Sequence, residues 1–231
     1  MHGVRRGPHL SNQSDSARGM SLAEITLSDR NERGNGLIEA TLTCIAEEGI
    51  SNATVRKIAN YAGVSNGLIR FYFKTKDGII QAAYQRFLER IFNAAYEAME
   101  EREGEPVERL RTFLGANLSP PIVTPEMVLL WANFLPLTYQ DARMTEIREQ
   151  WYNMTTRSLR ELIREALAAE QRVVSDRELR HLSMAINGMI DGLWIEGALS
   201  TDKLVTQELR EVGLNTAAKI LGLESLSVER S

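Results

Sequence analysis

The chain has 231 residues, 43% of them hydrophobic, and a formal net charge of −4. That apolar content suits a core of one large domain, or of a small one joined to a larger one, and excludes wholesale disorder. The acidic balance excludes a generally basic coat for nucleic acid, so any positive surface must be local, and the single cysteine, Cys44, excludes an intrachain disulfide framework and most structural zinc sites.

No apolar run approaches the ~20 residues that cross a bilayer. The opening MHGVRRGPHLSNQSDSARGM has an Arg pair but no apolar stretch of the kind that signals export. A cytoplasmic protein that does not meet a membrane is expected. Residues 1–28 are rich in Ser, Gly, Asn and Arg and read as a flexible tail, with a helical tendency at 22–27. Arg5, Arg6 and Arg18 there could graze DNA phosphate, or simply be solvated.

From there on the period is helical. Leu37, Ala40, Thr41, Cys44 and Ile45 line one face of a first helix, which Gly49 ends. Cys44 on that face reads as a small buried hydrophobe. Thr54 is placed to cap a second helix that runs to about Ala62, and Ser65 to cap a third that ends near Tyr72. Lys76 and Asp77 open a fourth, with apolar positions Ile79, Ile80, Ala83, Phe87, Ile91 and Ala95. Five more are expected, over 106–118, 124–137, 143–170, 175–199 and 204–222. No segment alternates as a strand does, and no repeat period is present. The fold class is all-α with about nine helices: a three-helix domain over 29–76, and a larger helical domain over 77–224 entered through the fourth helix.

The stretch 54–76, TVRKIANYAGVSNGLIRFYFKTK, carries most of the functional information. Ala59 is small enough for two helices to cross over it. Gly63, four residues on, can take the positive φ of a tight interhelix turn. Ile58, Val64, Leu68 and Ile69 supply a small core. This is the pattern of a helix-turn-helix, whose second helix lies in the major groove of DNA. The side chains left over on that helix are Asn66, Gly67, Arg70, Phe71 and Tyr72. Arg70 can donate twice to guanine, Asn66 can pair with a base, Phe71 can pack on a thymine methyl, and Tyr72 can donate to phosphate. Thr54 offers hydroxyl and backbone N–H to phosphate, and Ser65, at the start of the reading helix, is counted with the DNA-binding residues. Arg56, Lys57, Lys74 and Lys76 add flanking charge. Taken singly, Phe71 and Phe73 read more as core than as contact residues, and Lys57 as merely solvated. Over 29–78 seven bases face six acids, and most of the acids lie on or before the first helix.

An α-helical enzyme finds little support. The histidines are His2, His9 and His181, Cys44 has no adjacent His, and neither a Gly-rich phosphate loop nor a paired-ligand metal motif is present. No cofactor is expected. A helical adaptor with a vestigial helix-turn-helix remains an alternative.

The run 37–83 resembles the N-terminal domain of the TetR family of bacterial transcriptional regulators. The features that carry the likeness are Ile58-Ala59, Ala62-Gly63-Val64-Ser65, and Tyr72-Phe73-Lys74 with Lys76. The combination GVSNGLI, with Met189-Ile190-Asp191-Gly192-Leu193-Trp194 and Ala198-Leu199-Ser200 later on, is similar to the BetI-type branch, which is associated with repressing choline-to-betaine genes. Arg70-Phe71 stands where that branch usually carries Ser-His. The resemblance implies a homodimer that reads a palindromic double-stranded operator, with half-sites ~34–36 Å apart. It implies a repressor released by a small-molecule inducer, although an activator of the same fold is an alternative.

It also implies that the helices 175–199 and 204–222 form the dimer contact. Leu182, Ile186, Met189, Ile190, Leu193 and Trp194 give the first of these an apolar stripe, with Gly188, Gly192 and Gly197 allowing close approach; the same stripe would fit a core helix within one chain. The larger domain would enclose the effector. Met127, Trp131, Phe134, Tyr139, Trp151 and Tyr152 are the candidate lining, suited to a choline-like or other amine through cation–π contact. Glu126, Asp141 or Asp191 would supply the counter-charge. Asp191, on an apolar helix, is the most pointed of these.

Overall fold

The structure is a computed structural model. It describes residues 22–100 and 104–228, with side chains for 31–97, 104–202 and 208–228. Among the described residues there are ten α-helices, one 3-10 turn (Glu224–Leu226) and no strand. The helices are α1 (Leu22–Glu48), α2 (Val55–Tyr61), α3 (Asn66–Phe73), α4 (Lys76–Glu100), α5 (Pro106–Asn117), α6 (Pro125–Phe134), α7 (Leu137–Gln140), α8 (Ala142–Ala169), α9 (Asp176–Leu199) and α10 (Lys203–Leu221). Contacts divide the chain after Asn35. The first unit contributes the opening turns of α1, and the second holds the rest of α1 together with α2 to α10.

Two expectations need correcting. The range 1–28 does not form one tail: 1–21, with Arg5, Arg6 and Arg18, lies outside the described residues, whereas 22–28 belongs to α1. The single helix expected over 124–137 is two, because Pro136 has no N–H to donate and separates α6 from α7.

Local chemistry explains most helix starts. Thr54, Thr124, Asp141 and Ser175 each stand in extended backbone and accept a bond from the N–H three residues on, capping α2, α6, α8 and α9. Pro125 and Pro106 occupy first-turn positions, where the missing N–H costs nothing.

The head is a three-helix unit of 36–73, with Leu37, Leu42, Cys44, Ile45, Ile58, Ala59 and Ile69 at 2% exposure or less. Cys44 is thus a packed hydrophobe, and burial raises its thiol pKa. Behind it, α4 to α10 bury Phe87, Leu110, Leu114, Leu130, Ile163, Leu167, Ile186, Leu214 and Leu221 completely.

α9 and α10 approach closely within the chain. A Cβ on Gly197 would come within 2.5 Å of Leu209 on α10, and one on Gly213 within 3.4 Å of Leu193 on α9. Gly197 therefore serves this internal contact, whereas Gly188 and Gly192 have nothing within 4 Å.

Candidate functional site

The turn between α2 and α3 is built by backbone bonds that its sequence permits. Val64 N–H donates to Ala59 O at 2.9 Å and Gly63 N–H to Asn60 O at 3.1 Å. This pair of bonds closes a helix whose next residue has positive φ, and Gly63 has φ 65°. Ala59, 1% exposed, lies at the crossing. Ser65 holds the N-cap position of α3 in extended backbone, but its hydroxyl makes no capping bond.

With Ile69 buried and Leu68 packed inward, α3 presents Asn66, Gly67, Arg70 and Phe71 outward. Phe71 is 56% exposed, which removes it from the core, while Tyr72 and Phe73 are half-buried. Among the described residues, Arg56 and Arg70 are exposed and form no ion pair. Lys57 differs, because its Nζ lies 2.5 Å from Glu48 Oε2. Tyr61 donates to Glu47 at 2.7 Å, which holds the hydroxyl protonated with a pKa of about 12. Glu47 and Glu48 are therefore both occupied.

α3 joins α4 through a strained turn. Lys74 has φ 66° and ψ −53°, and Thr75 N–H donates to Phe73 O at 2.7 Å across it, the geometry of a rare γ-turn. The Lys74 ammonium folds back to donate to Phe71 O at 3.3 Å and lies 5.9 Å from the Phe71 ring centre. Thr75 then accepts the Gly78 N–H at 3.0 Å and so caps α4. A Cβ on Gly78 would sit 2.3 Å from Phe73 O, so no other residue fits without moving the end of α3.

The second site is a cavity of about 240 Å3 inside the α4–α9 domain. α4 supplies Tyr84, Leu88, Ile91, Phe92 and Ala95. α8 supplies Arg148, Trp151, Tyr152 and Thr155, and α9 supplies Asn187, Ile190, Asp191 and Trp194. The four residues from α8 and the four from α9 follow the same i, i+3, i+4, i+7 spacing, one helix face each. Trp131 and Trp194 meet edge to face with ring centres 6.0 Å apart, and Phe92 and Trp151 meet likewise at 5.5 Å. Trp194 Nε1 donates to Ile122 O at 2.8 Å, which fixes its ring.

The polar groups in the cavity are few. Asn117 donates to Phe113 O at 2.9 Å. Tyr84 is 5% exposed, burial pushes its pKa up to about 12, and its hydroxyl has no hydrogen-bond partner among the described residues. Asp191 accepts from Asn187 Nδ2 at 3.0 Å. Its apolar walls raise its carboxyl pKa above the ordinary 3.8, and Arg148 opposes that rise.

Of the expected effector contacts, Trp131, Trp151, Tyr152 and Asp191 line this cavity. Phe134 does not: it is 1% exposed and packs on Tyr84 and Phe87. Tyr139 is 86% exposed on α7, away from the lining. Met127 and Glu126 line a separate polar hollow of about 560 Å3, where Arg86 and Arg90 pair with Glu39 and Glu89. Asp141 is committed to capping α8 and accepting from Gln81, which holds its pKa down.

The proposed dimer stripe also divides. Ile186 and Trp194 are buried within the chain, and Ile190 lines the cavity, so none of these three is offered to a partner. Leu182, Met189 and Leu193 are half-buried, and the uncovered face of α9 carries Met184, Ala185, Gly188, Gly192 and Leu199 instead. Tyr84, Phe92, Arg148, Asn117 and Asn187 were not among the expected contacts. The spacing of Tyr84, Leu88, Ile91 and Ala95 along one face of α4 was the available signal.

Two family models match this chain. Residues 106–222 match the BetI-type transcriptional repressor C-terminal family, and 37–83 match the bacterial regulatory proteins of the tetR family. The HTH-type transcriptional regulator BetI 2 of Chromohalobacter salexigens is 30% identical over 179 residues, 77% of this chain and 83% of that protein. BetI of Burkholderia ambifaria (strain MC40-6) is 28% identical over 179 residues, 77% and 88% of the two chains. The fold matches a transcriptional regulator of Pseudomonas aeruginosa PAO1 with TM-score 0.75 at 24% identity, covering 84% of this chain and 92% of that one. It also matches a regulator of Saccharomonospora viridis, solved in complex with choline, with TM-score 0.69 at 20% identity, covering 82% and 96%. With a BetI-type region over half its length behind a TetR-type head, the chain belongs to the TetR family of bacterial transcriptional regulators.

Proposed function

We propose that this regulator is a homodimeric repressor that leaves a palindromic operator when a small amine enters the cavity. The observation that carries this reading is the double membership of α4. One face of α4 lines the cavity through Tyr84, Leu88, Ile91 and Phe92, and its first turn is locked to the end of α3 at Gly78. A ligand that shifts α4 therefore shifts the reading helix. α6 adds a second route, since Trp131 and Leu135 line the cavity while Asn133 Oδ1 accepts the Ile50 N–H of the head at 2.8 Å. To take operator occupancy from 99:1 to 1:99, the ligand must prefer the released conformer by ~5.5 kcal/mol.

The amine reading rests on aromatic faces around one carboxylate, where a desolvated cation gains ~2 kcal/mol per good ring contact. The cavity volume of about 240 Å3 lies below the ~300–1,000 Å3 of sites for drug-sized ligands, which favours an effector as small as choline. The choline complex of the S. viridis neighbour supports the same class.

At the DNA end, Asn66, Gly67, Arg70 and Phe71 would meet bases, and Thr54, Arg56, Ser65, Tyr72, Lys74 and Lys76 would meet the backbone. The dimer would form through the uncovered face of α9 around Gly188 and Gly192, together with α10, and would act in the cytoplasm. The test is to select bound sites from random DNA with the wild-type chain, then titrate choline and other quaternary amines into the complex. Enrichment of a palindrome, and its release by an amine, is the expected result. Recovery of no sequence would remove the regulator's DNA assignment from α3.

A further inference from the structure

Two charged side chains line the cavity, and they carry opposite signs. Asp191 projects from α9 and Arg148 from α8. Some other charged residues of this region do pair: Arg143 with Glu146, Arg164 with Glu161, and Arg172 with Glu178. Arg148 forms no ion pair among the described residues, and its guanidinium lies 5.6 Å from the centre of the Tyr152 ring. Asp191 has the Asn187 amide as its hydrogen-bond partner. The two charges thus share one small, largely aromatic space without closing on each other.

That arrangement distinguishes between occupants. A simple ammonium neutralises Asp191 but sets a second cation beside the Arg148 guanidinium on the same wall, and like charges repel. A simple carboxylate leaves Asp191 in the same position. A molecule with a quaternary ammonium at one end and a carboxylate at the other satisfies both, with the ammonium among the rings beside Asp191 and the carboxylate taking the donor fork of Arg148. Because Arg148 lies at the exposed rim, the carboxylate keeps part of its hydration.

We infer that the cavity selects quaternary-ammonium carboxylates over quaternary-ammonium alcohols, and that Arg148 is the residue that makes the distinction. This rests on the cavity being an amine site. The experiment is calorimetric titration of the full chain with choline, with glycine betaine, which carries a carboxylate in place of the alcohol, and with the longer carnitine. Wild type binds at least one of the two carboxylates more tightly than choline. Arg148→Gln weakens the carboxylates by about tenfold or more and reverses the preference, because a charge-assisted bond is lost. Asp191→Asn weakens all three. Equal or better binding of choline by wild type, or an equal loss of all three ligands in Arg148→Gln, overturns the selectivity and leaves the amine reading standing. If no ammonium compound binds, both fall. Arg148 is exposed, so a thermal midpoint equal to wild type shows that Arg148→Gln is folded.

Discussion

The reading head and the effector cavity solve opposite packing problems. On α3 the outward residues Asn66, Gly67, Arg70 and Phe71 are spare, since Ile69 and Leu68 hold the helix in place. In the cavity part of the aromatic wall is the core itself: Trp194 is 6% exposed and Phe113 3%. DNA recognition can therefore change without touching the fold, whereas the aromatic wall of the cavity cannot change without repacking. The departure at Arg70-Phe71 from the usual Ser-His of the BetI branch falls on the side where change is free.

The sharpest way to break this contrast is Trp194→Ala. It removes a buried indole wedged against Trp131 and leaves Ile122 O without its donor. A loss of about 3–5 kcal/mol of folding stability is expected, measured by urea denaturation. A wild-type midpoint would show that the cavity wall is not structural. Arg70→Ala combined with Phe71→Ala is the counterpart on the head. Operator affinity should fall by about 1–3 kcal/mol for the base contact of Arg70 alone. Stability should stay within about 0.5 kcal/mol, as for exposed positions. Fluorescence anisotropy against the selected operator and a thermal melt separate the two effects.

The proposed dimer face gives a third probe. Gly192→Arg puts a long cation where nothing lies within 4 Å in the single chain. The protomer should still fold while the dimer dissociates on dilution at concentrations where the wild-type dimer persists, which sedimentation would detect. A dimer as tight as wild type would move the interface off this face of α9.

pH tests the cavity charge. Desolvation by the cavity walls raises the Asp191 pKa above 3.8, so the carboxyl takes up its proton sooner on acidification than an unperturbed aspartate does. Amine affinity is therefore present above that raised pKa and is lost as pH falls through it, with Arg148 drawing the transition downward. Asp191→Asn should bind weakly at every pH and show no such transition. A sloping profile in that variant would assign the titration to another group.

Legibility in the sequence splits along the same divide. The head was legible because its constraints are local: Gly63 for the positive φ, Ala59 for the crossing, Thr54 for the cap. The cavity was legible only in part. Trp131, Trp151, Tyr152 and Asp191 could be picked by type, but Phe134 and Tyr139 share that type and differ only in tertiary surroundings. One is sealed against Phe87 and the other stands in solvent. Ile186 and Trp194 misled for a related reason, because an apolar stripe records that a face is covered and not what covers it. Arg148 gave no signal in the chain, since an arginine on an amphipathic helix reads as solvated until α9 is set against it.

The smallest effect sits where α3 meets α4. Lys74 holds φ 66° in a γ-turn, and a non-glycine residue in such a region carries about 1–3 kcal/mol of strain. Lys74→Gly should remove most of that, but glycine returns roughly 0.5–1 kcal/mol through the greater freedom of the unfolded chain. The net change in stability is therefore small, and a slight gain is expected. Operator affinity responds differently: the substitution removes a flanking cation and uncovers Phe71, whose ring the ammonium overlies. If Lys74 meets phosphate, the salt dependence of operator binding becomes shallower by about one counterion for each protomer. An unchanged salt slope with raised stability would mean that the lysine serves only the turn, and that the strain at the end of the reading helix has no part in contacting DNA.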